Sequence, residues 1–329
     1  MLSAGASSIR NSIAAQQDVQ LDTDGSFAAA VFAGLSKPRK SIPPHFFYDA
    51  AGSALFEEIT LLPEYYPTRT ETEILARHAS EMIDGLPGNG VLVEFGSGSS
   101  LKTELLLAKA PQGIAYVPVD VSETALADAK LRLANRFPDL DVRIVMGDFA
   151  RPIELPADLA GRPRVGFFPG STIGNFMPLE AASLLASFAK GLSAGGRLIV
   201  GVDLKKDTAA LVRAYNDAAG VTAAFNLNLL ARINRELGAS IDIETFRHEA
   251  IYNAREGRIE MHLVSRIAQS IRIDGVSFSF RAGESIHTEN SYKYAAWQFQ
   301  DLASAAGWRP ARVWMDEHKQ FSVHELVVR

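Results

Sequence analysis

Three stretches of the chain place residues suited to holding a small polar molecule directly after an apolar run of strand length. VLV leads into the glycine-rich turn Glu94–Gly98, VPV into Asp120, and VRIVM into Gly147 followed by Asp148 and Phe149. A tight glycine turn between a strand and a helix lets backbone N–H groups approach a ligand closely. The Asp120 carboxylate is placed to accept hydrogen bonds from both hydroxyls of a ribose. At the third strand end, Asp148 can accept from an adenine amino group while Phe149 packs on the base.

The glycine spacing in the first stretch distinguishes two kinds of nucleotide site. A dinucleotide-binding G-x-G-x-x-G pattern needs a third glycine at position 101, where this chain has Leu101. The E-x-G-x-G form of Glu94–Gly98 instead suits S-adenosylmethionine (SAM), which has no pyrophosphate to hold. Each of these residues alone is explained as well by local structure, but their recurrence at successive strand ends indicates one crevice. Together they resemble class I SAM-dependent methyltransferases, whereas a nicotinamide dehydrogenase would also need a hydride-partner His or Lys that we do not find.

The elements that must position these residues alternate between strand and helix up to Asp203. Apolar strands separated by helices are typical of a parallel sheet that is covered on both faces. Thr68 and Glu71 have the T-x-x-E spacing of a capping box, which predicts a helix from Thr68 to about Gly85. VRIVMGDF, which ends in Asp148 and Phe149, is predicted to be one strand, the third of the sheet.

After Asp203 the pattern changes. Two helices precede a section that alternates with period two and has turn signals at Glu256-Gly257 and Asp274-Gly275, which predicts antiparallel strands. A last helix and two strands follow. We therefore predict an α/β fold with a class I, Rossmann-like SAM-dependent methyltransferase core and an inserted α+β substrate-binding domain. The predicted division is a polar N-terminal tail (1–25), a discontinuous substrate-binding domain (26–68 and 206–290) and the methyltransferase core (69–205 and 291–329).

Residues 38–68 are rich in aromatic side chains and are interrupted by Pro43-Pro44 and Pro63. We predict irregular structure there, with one short helix at SALFEEI. Two interpretations remain open, a packed loop that covers an edge of the core and a lid over a ligand, because loops on a rigid scaffold often carry function.

Composition excludes several classes of function. The 329 residues carry 33 Lys and Arg against 38 Asp and Glu, a net charge of −5, so no basic surplus favours nucleic acid as a partner. The absence of cysteine excludes disulfides, thiolate nucleophiles, Fe–S clusters and Cys-ligated zinc, and it fits a cytoplasmic location. No apolar run reaches the ~18 residues of a membrane span. The histidines show no ligand spacing, so we expect no metal, and no obligate protein partner is apparent.

A series of longer motifs narrows the family. FYDAAGSALFEEIT, LPEYYPTRTE, EFGSGSSLKT, GSTIGN, AYNDAAGVTAAFNLNLL, RIEMHL and TENSYKY recur along residues 46–294. This series resembles the L-histidine Nα-methyltransferases of ergothioneine biosynthesis, over nearly the whole chain except about residues 1–25. The resemblance implies SAM as the co-substrate, L-histidine as the substrate, and N,N,N-trimethylhistidine (hercynine) as the product of three methyl transfers. The departures are a longer N-terminal tail and Phe95 in place of leucine, neither at an implied contact.

The resemblance also implies the site residues. The SAM contacts would be Tyr48, Phe56, Gly96, Lys102, Asp120, Asp148 and Phe149. The histidine contacts would be Tyr65, Gly170, Asn175, Tyr215, Met261, Glu289 and Ser291. The implied catalytic residues are Tyr48 and Tyr215. Asn175 and Tyr215 would hold the histidine carboxylate, because an amide and a hydroxyl supply donors. Glu289 and Ser291 would hold the imidazole, whose N–H needs an acceptor.

The chemistry implied for such a site is mainly alignment of amine, methyl and sulfur, because the sulfonium already carries the reactivity. The α-amine must be neutral, and since no dedicated base is evident, water or a nearby oxygen would accept its proton. Two alternatives stay open: a relative that methylates another amino acid such as tryptophan, and a non-catalytic SAM-binding module. Glu289 argues against the first, because an indole needs a carboxylate less than an imidazole does. Without the motifs, Tyr65 and Glu289 would be read as a core aromatic residue and a solvated turn residue.

Overall fold

A computed structural model describes residues 26–98, 100–151 and 153–329, so the predicted polar tail (1–25) lies outside the described residues. The α-helices are α1 (Phe27–Ser36), α2 (Ala50–Leu61), α3 (Tyr66–Ile83), α4 (Thr103–Leu107), α5 (Glu123–Arg136), α6 (Pro178–Leu192), α7 (Thr208–Ala214), α8 (Val221–Leu237) and α9 (Ala296–Ala305). The strands are β1 (Val91–Phe95), β2 (Ala115–Asp120), β3 (Asp141–Val142), β4 (Val145–Met146), β5 (Arg164–Phe168), β6 (Arg197–Asp203), β7 (Phe246–Asn253), β8 (Arg258–Ser265), β9 (Gln269–Ile273), β10 (Val276–Phe280), β11 (Ser285–Tyr292), β12 (Trp308–Met315) and β13 (Phe321–Val328). Across these described stretches, no helix combines the length and apolar character that crossing a membrane requires.

The larger sheet has the strand order β12-β13-β6-β5-β1-β2-β3, and β4 also pairs with β2. Pairing is parallel from β3 to β6, and antiparallel where β13 joins β6 and β12 joins β13. This confirms the predicted α/β core with a terminal antiparallel strand pair. The chain order reverses at β1, which lies between β2 and β5, and ligands of open parallel sheets bind at the carboxyl ends of the strands beside such a reversal.

Both faces of this sheet are covered by helices, which is why its central strands are apolar throughout. On one face, Val93 and Phe95 of β1 belong to an apolar cluster that includes residues of α6 and α9. On the other face, Leu92 of β1 and Tyr116 of β2 pack in a cluster with residues of α3 and α4. The strand ends near β1 are therefore held on a rigid, two-sided core.

Three sequence predictions of local structure are wrong. The third strand is two short strands, β3 and β4, because only Asp141–Val142 and Val145–Met146 pair with β2. Residues 38–68 are mostly helical rather than irregular: a 3-10 turn at Pro44–Phe47 and α2, which contains the short helix predicted at SALFEEI, precede the start of α3 at Tyr66. The first of the two helices predicted after Asp203, over DTAALVRAYNDAAG, is shorter than that pattern indicates: it ends at Ala214, and Tyr215 is its C-terminal cap.

The predicted capping box at Thr68 is also wrong. Helix α3 begins at Tyr66 with Pro67 in its first turn, which suits a residue without an N–H group. Thr68 and Glu71 therefore lie inside the helix, and the Glu71 side chain turns into the protein, where it is fully buried. The carboxylate of Glu71 serves the site rather than the helix end, as described below.

A second region is built from a three-stranded antiparallel sheet, β11-β8-β7, and the hairpin β9-β10. A separate apolar cluster joins it to residues of α1, α2 and α8, with members drawn from residues 31–66 and 211–286. The boundary predicted at residue 290 falls within β11, whose last residues continue toward the larger sheet. The division of the chain into two domains stays a prediction.

Candidate active site

The glycine turn after β1 and the acid at the end of β2 are bonded to each other. The Gly98 N–H donates to one Asp120 carboxylate oxygen at 3.0 Å, and the Ser122 N–H donates to the other at 2.9 Å. Gly96 has φ +73°, and a Cβ there would lie 2.9 Å from the Phe149 ring. Glycine is thus required at Gly96 by its backbone conformation and by the close approach of an aromatic ring. We call Gly96, Gly98, Asp120, Asp148 and Phe149 the cofactor edge.

Asp148 and Phe149 reach this edge through the loop that follows β4. The Gly147 N–H donates to the Asp120 carbonyl at 3.0 Å, which fixes the loop beside the end of β2. The Asp148 carboxylate is exposed and accepts from the Ala150 N–H at 2.9 Å. An open glycine cradle, two acids and an aromatic face match the donors, hydroxyls and base of a nucleoside. The residues present therefore fit the adenosyl group of SAM.

Glu94 has a structural role in this turn. Its carboxylate is buried and accepts a hydrogen bond from the Tyr116 hydroxyl of β2. The Ser100 hydroxyl lies 3.0 Å from the same tyrosine oxygen, so the turn is tied to both strands. Burial raises the pKa of Glu94 to about 7, against hydrogen bonds that lower it.

Lys102 and Gly170, predicted to contact different ligands, share one partner that the sequence did not indicate. The Lys102 ammonium donates to the Glu71 carboxylate at 2.5 Å, and the Gly170 N–H donates to the two oxygens of that carboxylate at 3.0 and 2.9 Å. A Cβ at Gly201 of β6 would lie 1.9 Å from a Glu71 oxygen, so glycine makes room for this buried group. Glu71 therefore joins α3, the turn after β1 and the end of β5.

Aromatic rings from the segment before α3 form a continuous row. Ring centroids are 5.5 Å apart for Tyr48 and Phe56, 6.3 Å for Phe56 and Tyr65, and 6.1 Å for Tyr65 and Tyr215, each in an edge-to-face arrangement. Such contacts stabilise aromatic pairs beyond the burial of their area. The row brings residues predicted for SAM together with residues predicted for histidine.

Tyr48 lies within the electrostatic reach of both groups of residues. Burial raises the pKa of its phenol, and interaction with the ionisable groups of Glu289, Tyr215 and Asp120 acts in the same direction. Burial likewise raises the pKa of Tyr215 well above its usual range. Both phenols are therefore protonated at neutral pH and act as hydrogen-bonding groups rather than as phenolate bases.

A β-bulge in β11 turns Glu289 toward the same side as Met261. His287 pairs with His262 of β8, but the next pair is Glu289 with Met261, so Thr288 is an extra residue. Side chains alternate between the two faces of a strand, so without the bulge Glu289 would share the face of His287. The Thr288 hydroxyl fixes the bulge by donating to the Met261 carbonyl at 3.1 Å. Ser291, two residues beyond Glu289, lies on this side as well.

Tyr215, at the end of α7, meets Ser291 with 2.7 Å between their hydroxyl oxygens. We call Tyr215, Met261, Glu289 and Ser291 the substrate face. Burial raises the pKa of Glu289 to about 7, and the positive charge of Lys293 opposes that shift.

The sequence predictions missed Lys293 and Asp203, although Lys293 lies within the recognised motif TENSYKY and Asp203 marks the end of the predicted strand–helix alternation. The Lys293 ammonium is fully buried and donates to Tyr215 at 2.9 Å, to Ser291 at 2.8 Å and to Asp203 at 2.7 Å. Asp203, the last residue of β6, also accepts from Tyr66 at 2.8 Å. Burial works to raise the pKa of Asp203, but the nearby lysine ammonium groups hold it below its usual value. A lysine in an otherwise apolar and aromatic run was the available signal.

Asn175 reaches the substrate face through the 3-10 turn Thr172–Asn175, which follows β5. A Cβ at Gly174 would lie 2.8 Å from the Tyr292 carbonyl oxygen, so this turn packs directly on the end of β11. The Ser171 hydroxyl accepts from the Asp203 N–H at 2.9 Å, which fixes the start of the turn against β6. Asn175 is partly buried beside the strand that carries Glu289 and Ser291.

Three potential metal ligands lie on the opposite side of the same sheet. Ligand atoms of Glu260, His262 and His287 lie within 4.8 Å of one another. The histidine rings stack with 4.9 Å between centroids, and His262 Nε2 lies 3.2 Å from a Glu260 oxygen, while Arg258 binds the other oxygen at 2.6 Å. These partners account for the cluster as a cross-strand polar network. The expectation that no metal binds stays a prediction.

Comparisons with known proteins show which family and which relatives this chain is similar to. The model of a family described as histidine-specific, SAM-dependent methyltransferases matches residues 27–328. A histidine N-alpha-methyltransferase of Mycolicibacterium smegmatis is 44% identical over 91% of this chain and 94% of its own length. One of Mycobacterium tuberculosis is 42% identical over 89% of this chain and 92% of its own length. Ergothioneine biosynthesis protein 1 of Neurospora crassa is 30% identical over 87% of this chain, which corresponds to 33% of that longer protein.

Proposed function

This chain belongs to the SAM-dependent, histidine-specific methyltransferase family, and from that premise we propose that it methylates the α-amine of L-histidine three times. The product would be N,N,N-trimethylhistidine (hercynine), made for ergothioneine biosynthesis, as the names of its relatives suggest. We propose that residues 26–68 and 206–290 form the substrate-binding domain and that the enzyme works in the cytoplasm.

The observation that carries the proposal is the composition of the substrate face. A carboxylate, Glu289, and two hydroxyls, Tyr215 and Ser291, converge on one side of β11 next to the aromatic row. A carboxylate with a pKa of about 7 can accept an imidazole N–H near neutral pH, whereas an indole gains less from it. Asn175 and the Tyr215 hydroxyl supply donors for a carboxylate on the other side of the substrate.

The residues between the two sites orient the reacting amine. SAM, when bound at the cofactor edge, supplies a methyl group activated by its sulfonium. The carboxylates of Asp120 and Glu289 both interact electrostatically with the Tyr48 hydroxyl. We therefore expect this hydroxyl to form a hydrogen bond with a substrate amine that lies between the cofactor edge and the substrate face. Because its phenol is protonated at neutral pH, Tyr48 positions the neutral amine, and water or a carboxylate oxygen takes the proton. The faces of Tyr48 and Phe56 can stabilise the quaternary ammonium product by roughly 0.5–2 kcal/mol.

The test is to incubate the purified protein with SAM and each amino acid separately and to follow the products by mass spectrometry. We expect histidine to gain one, two and then three methyl groups, with fragmentation that places all of them on the α-nitrogen. Methylation of tryptophan or another amino acid in preference to histidine would contradict the specificity. Tight SAM binding without methylation of any amine would contradict catalysis. Accumulation of monomethylhistidine alone would contradict trimethylation.

A further inference from the structure

Lys293 is a buried cation at the centre of the substrate face, and it is not among the residues predicted to touch either ligand. Its side chain is 0% exposed, and its ammonium group has one partner for each of its three hydrogens. Two of those partners are the hydroxyls of Tyr215 and Ser291, and the third is the carboxylate of Asp203. Burying an ammonium group is costly unless all of its hydrogens are bonded, so this arrangement is tightly constrained.

The hydrogen bonds from Lys293 restrict what the hydroxyls of Tyr215 and Ser291 can donate or accept. Lysine only donates, so the oxygens of Tyr215 and Ser291 must both accept from Lys293. The same two oxygens are 2.7 Å apart, so one hydroxyl hydrogen lies between them. One hydroxyl uses its hydrogen in the bond between the two oxygens and keeps a lone pair that can accept from a ligand. The second hydroxyl can therefore donate its own hydrogen to a ligand. The trio offers the pocket one donor and an acceptor in a fixed arrangement.

Lys293 also places a positive charge beside Glu289. The ionisable side chains that interact electrostatically with Glu289 are the phenols of Tyr48, Tyr65 and Tyr215 and the ammonium of Lys293. Of these four groups only Lys293 carries a charge at neutral pH, and that charge favours the ionised form of the Glu289 carboxylate. An ionised carboxylate is the stronger acceptor for an imidazole N–H.

We propose that Lys293 is a positioning residue for the amino-acid substrate: it fixes the donor and acceptor roles of the Tyr215 and Ser291 hydroxyls and adds a positive charge to the substrate face that carries Glu289. This inference rests on the proposed function, because it assumes that the substrate face binds histidine. In neither role does Lys293 contact the substrate itself.

Lys206 provides a matched control on the same carboxylate. Its ammonium donates to the other Asp203 oxygen at 2.5 Å, and its remaining partners are the Tyr66 hydroxyl and the Leu204 carbonyl. Lys293→Met and Lys206→Met therefore each remove one positive charge from Asp203, but only Lys293→Met removes contacts to Tyr215 and Ser291. A purely structural role of the two lysines would give the same result in both variants.

The experiment measures the dissociation constant of histidine by calorimetry, in the presence of S-adenosylhomocysteine, for both variants and the wild type between pH 6 and pH 9. We expect Lys293→Met to weaken histidine binding by about 10- to 100-fold at pH 7.5, with S-adenosylhomocysteine binding unchanged within about threefold. In Lys293→Met, the midpoint of the pH range over which histidine binding weakens should also move to a higher pH. Lys206→Met should keep the wild-type midpoint and change histidine binding by less than about threefold.

Equal losses in the two variants, or an unshifted midpoint in Lys293→Met, would overturn the inference. If Lys293→Met does not bind S-adenosylhomocysteine, Lys293→Gln replaces it, because its amide group can still donate to a neighbouring oxygen while the positive charge is removed. Lys293→Gln is expected to show the same loss of histidine binding and the same shift, and wild-type behaviour there would overturn the inference. Failure of the wild type itself to bind histidine would instead contradict the proposed function.

Discussion

At the cofactor edge, polar groups at the ends of β1 and β2 remain partly open to solvent, whereas at the substrate face they are buried and bonded to one another. Asp120 is held by two backbone N–H groups, that of Gly98, 22 residues earlier, and that of Ser122, two residues later. At the substrate face, Lys293 donates to Tyr215, which lies 78 residues earlier in the chain, and its buried charge acts on Glu289. The cofactor edge is therefore fixed mainly by local backbone conformation, and the substrate face mainly by interactions between buried polar and charged groups. The cofactor edge should be sensitive to substitutions that change the backbone, and the substrate face to substitutions that remove a charge.

The largest effect is expected at Asp203, the last residue of β6, which binds Lys293 at the substrate face. Asp203→Asn leaves the ammonium groups of Lys206 and Lys293 buried without their counter-charge. We expect the free energy of unfolding to fall by about 3–5 kcal/mol, measured by urea denaturation. Glu317→Gln is the control, because its ion pair with Arg77 lies on the surface, and such pairs contribute at most about 1 kcal/mol. Equal small losses in both variants would show that the buried ions are not coupled.

Substitution of Glu289 should separate the two regions by function. Glu289→Ala removes the acceptor for the imidazole, and we expect histidine binding to weaken by roughly 1–3 kcal/mol. Calorimetry should show unchanged binding of S-adenosylhomocysteine in this variant. Unchanged KM and kcat for histidine would contradict the assignment of the imidazole to Glu289.

The mirror variant is Asp120→Asn, which weakens the acceptor for the ribose hydroxyls. We expect the opposite pattern, a loss of about tenfold or more in S-adenosylhomocysteine binding with little direct effect on the substrate face. If either variant weakened both ligands equally, the two regions would not be energetically separate.

The pH dependence of histidine binding sharpens the comparison further. Because the pKa of Glu289 is raised to about 7, its ionised form is present above that pH and is lost as the pH falls through 7. One pH unit below the pKa, about a tenth of the carboxylate is ionised, so we expect the dissociation constant for histidine to rise about tenfold between pH 8 and pH 6. Glu289→Gln should keep only the titration of histidine itself, and identical profiles for the two proteins would contradict the prediction.

The smallest effect tests the backbone at the cofactor edge. Gly96 and Gly195 have nearly the same φ, +73° and +76°, but only a Cβ at Gly96 would meet another group, the Phe149 ring. Both alanine variants carry the cost of a left-handed alanine, about 1 kcal/mol. We expect Gly96→Ala to lose more stability than Gly195→Ala in thermal unfolding, and also to weaken S-adenosylhomocysteine binding. Equal losses of stability in the two variants would show that the Phe149 ring moves aside at no cost in free energy.

The sequence predicted the cofactor edge better than the substrate face, for a physical reason. The turn at Gly96 and the acid at Asp120 follow apolar strands directly, so their positions in the fold can be inferred from local pattern. The prediction for Glu71 was wrong because the T-x-x-E spacing from Thr68 does not show whether the Glu71 carboxylate caps a helix or turns into the protein. Its partners, Lys102 and Gly170, become neighbours only when the sheet forms.

The orientation of Glu289 could not be predicted from alternation alone. The bulge at Thr288 reverses the side on which Glu289 lies, and nothing in the period-two pattern of TENSYKY indicates an extra residue. Motif resemblance named Glu289 and Ser291, but it did not indicate why they converge. Lys293, which donates to both Ser291 and Tyr215, was missed because two of its three partners, Tyr215 and Asp203, are distant in sequence.

The most direct test of the central claim, that histidine is held between the two regions, is a crystal structure of the protein with S-adenosylhomocysteine and L-histidine. We predict the imidazole on Glu289 and Ser291, the carboxylate on Asn175 and Tyr215, and the α-nitrogen beside Tyr48, facing the sulfur. An imidazole bound away from Glu289, or an α-nitrogen turned away from the sulfur, would contradict the account.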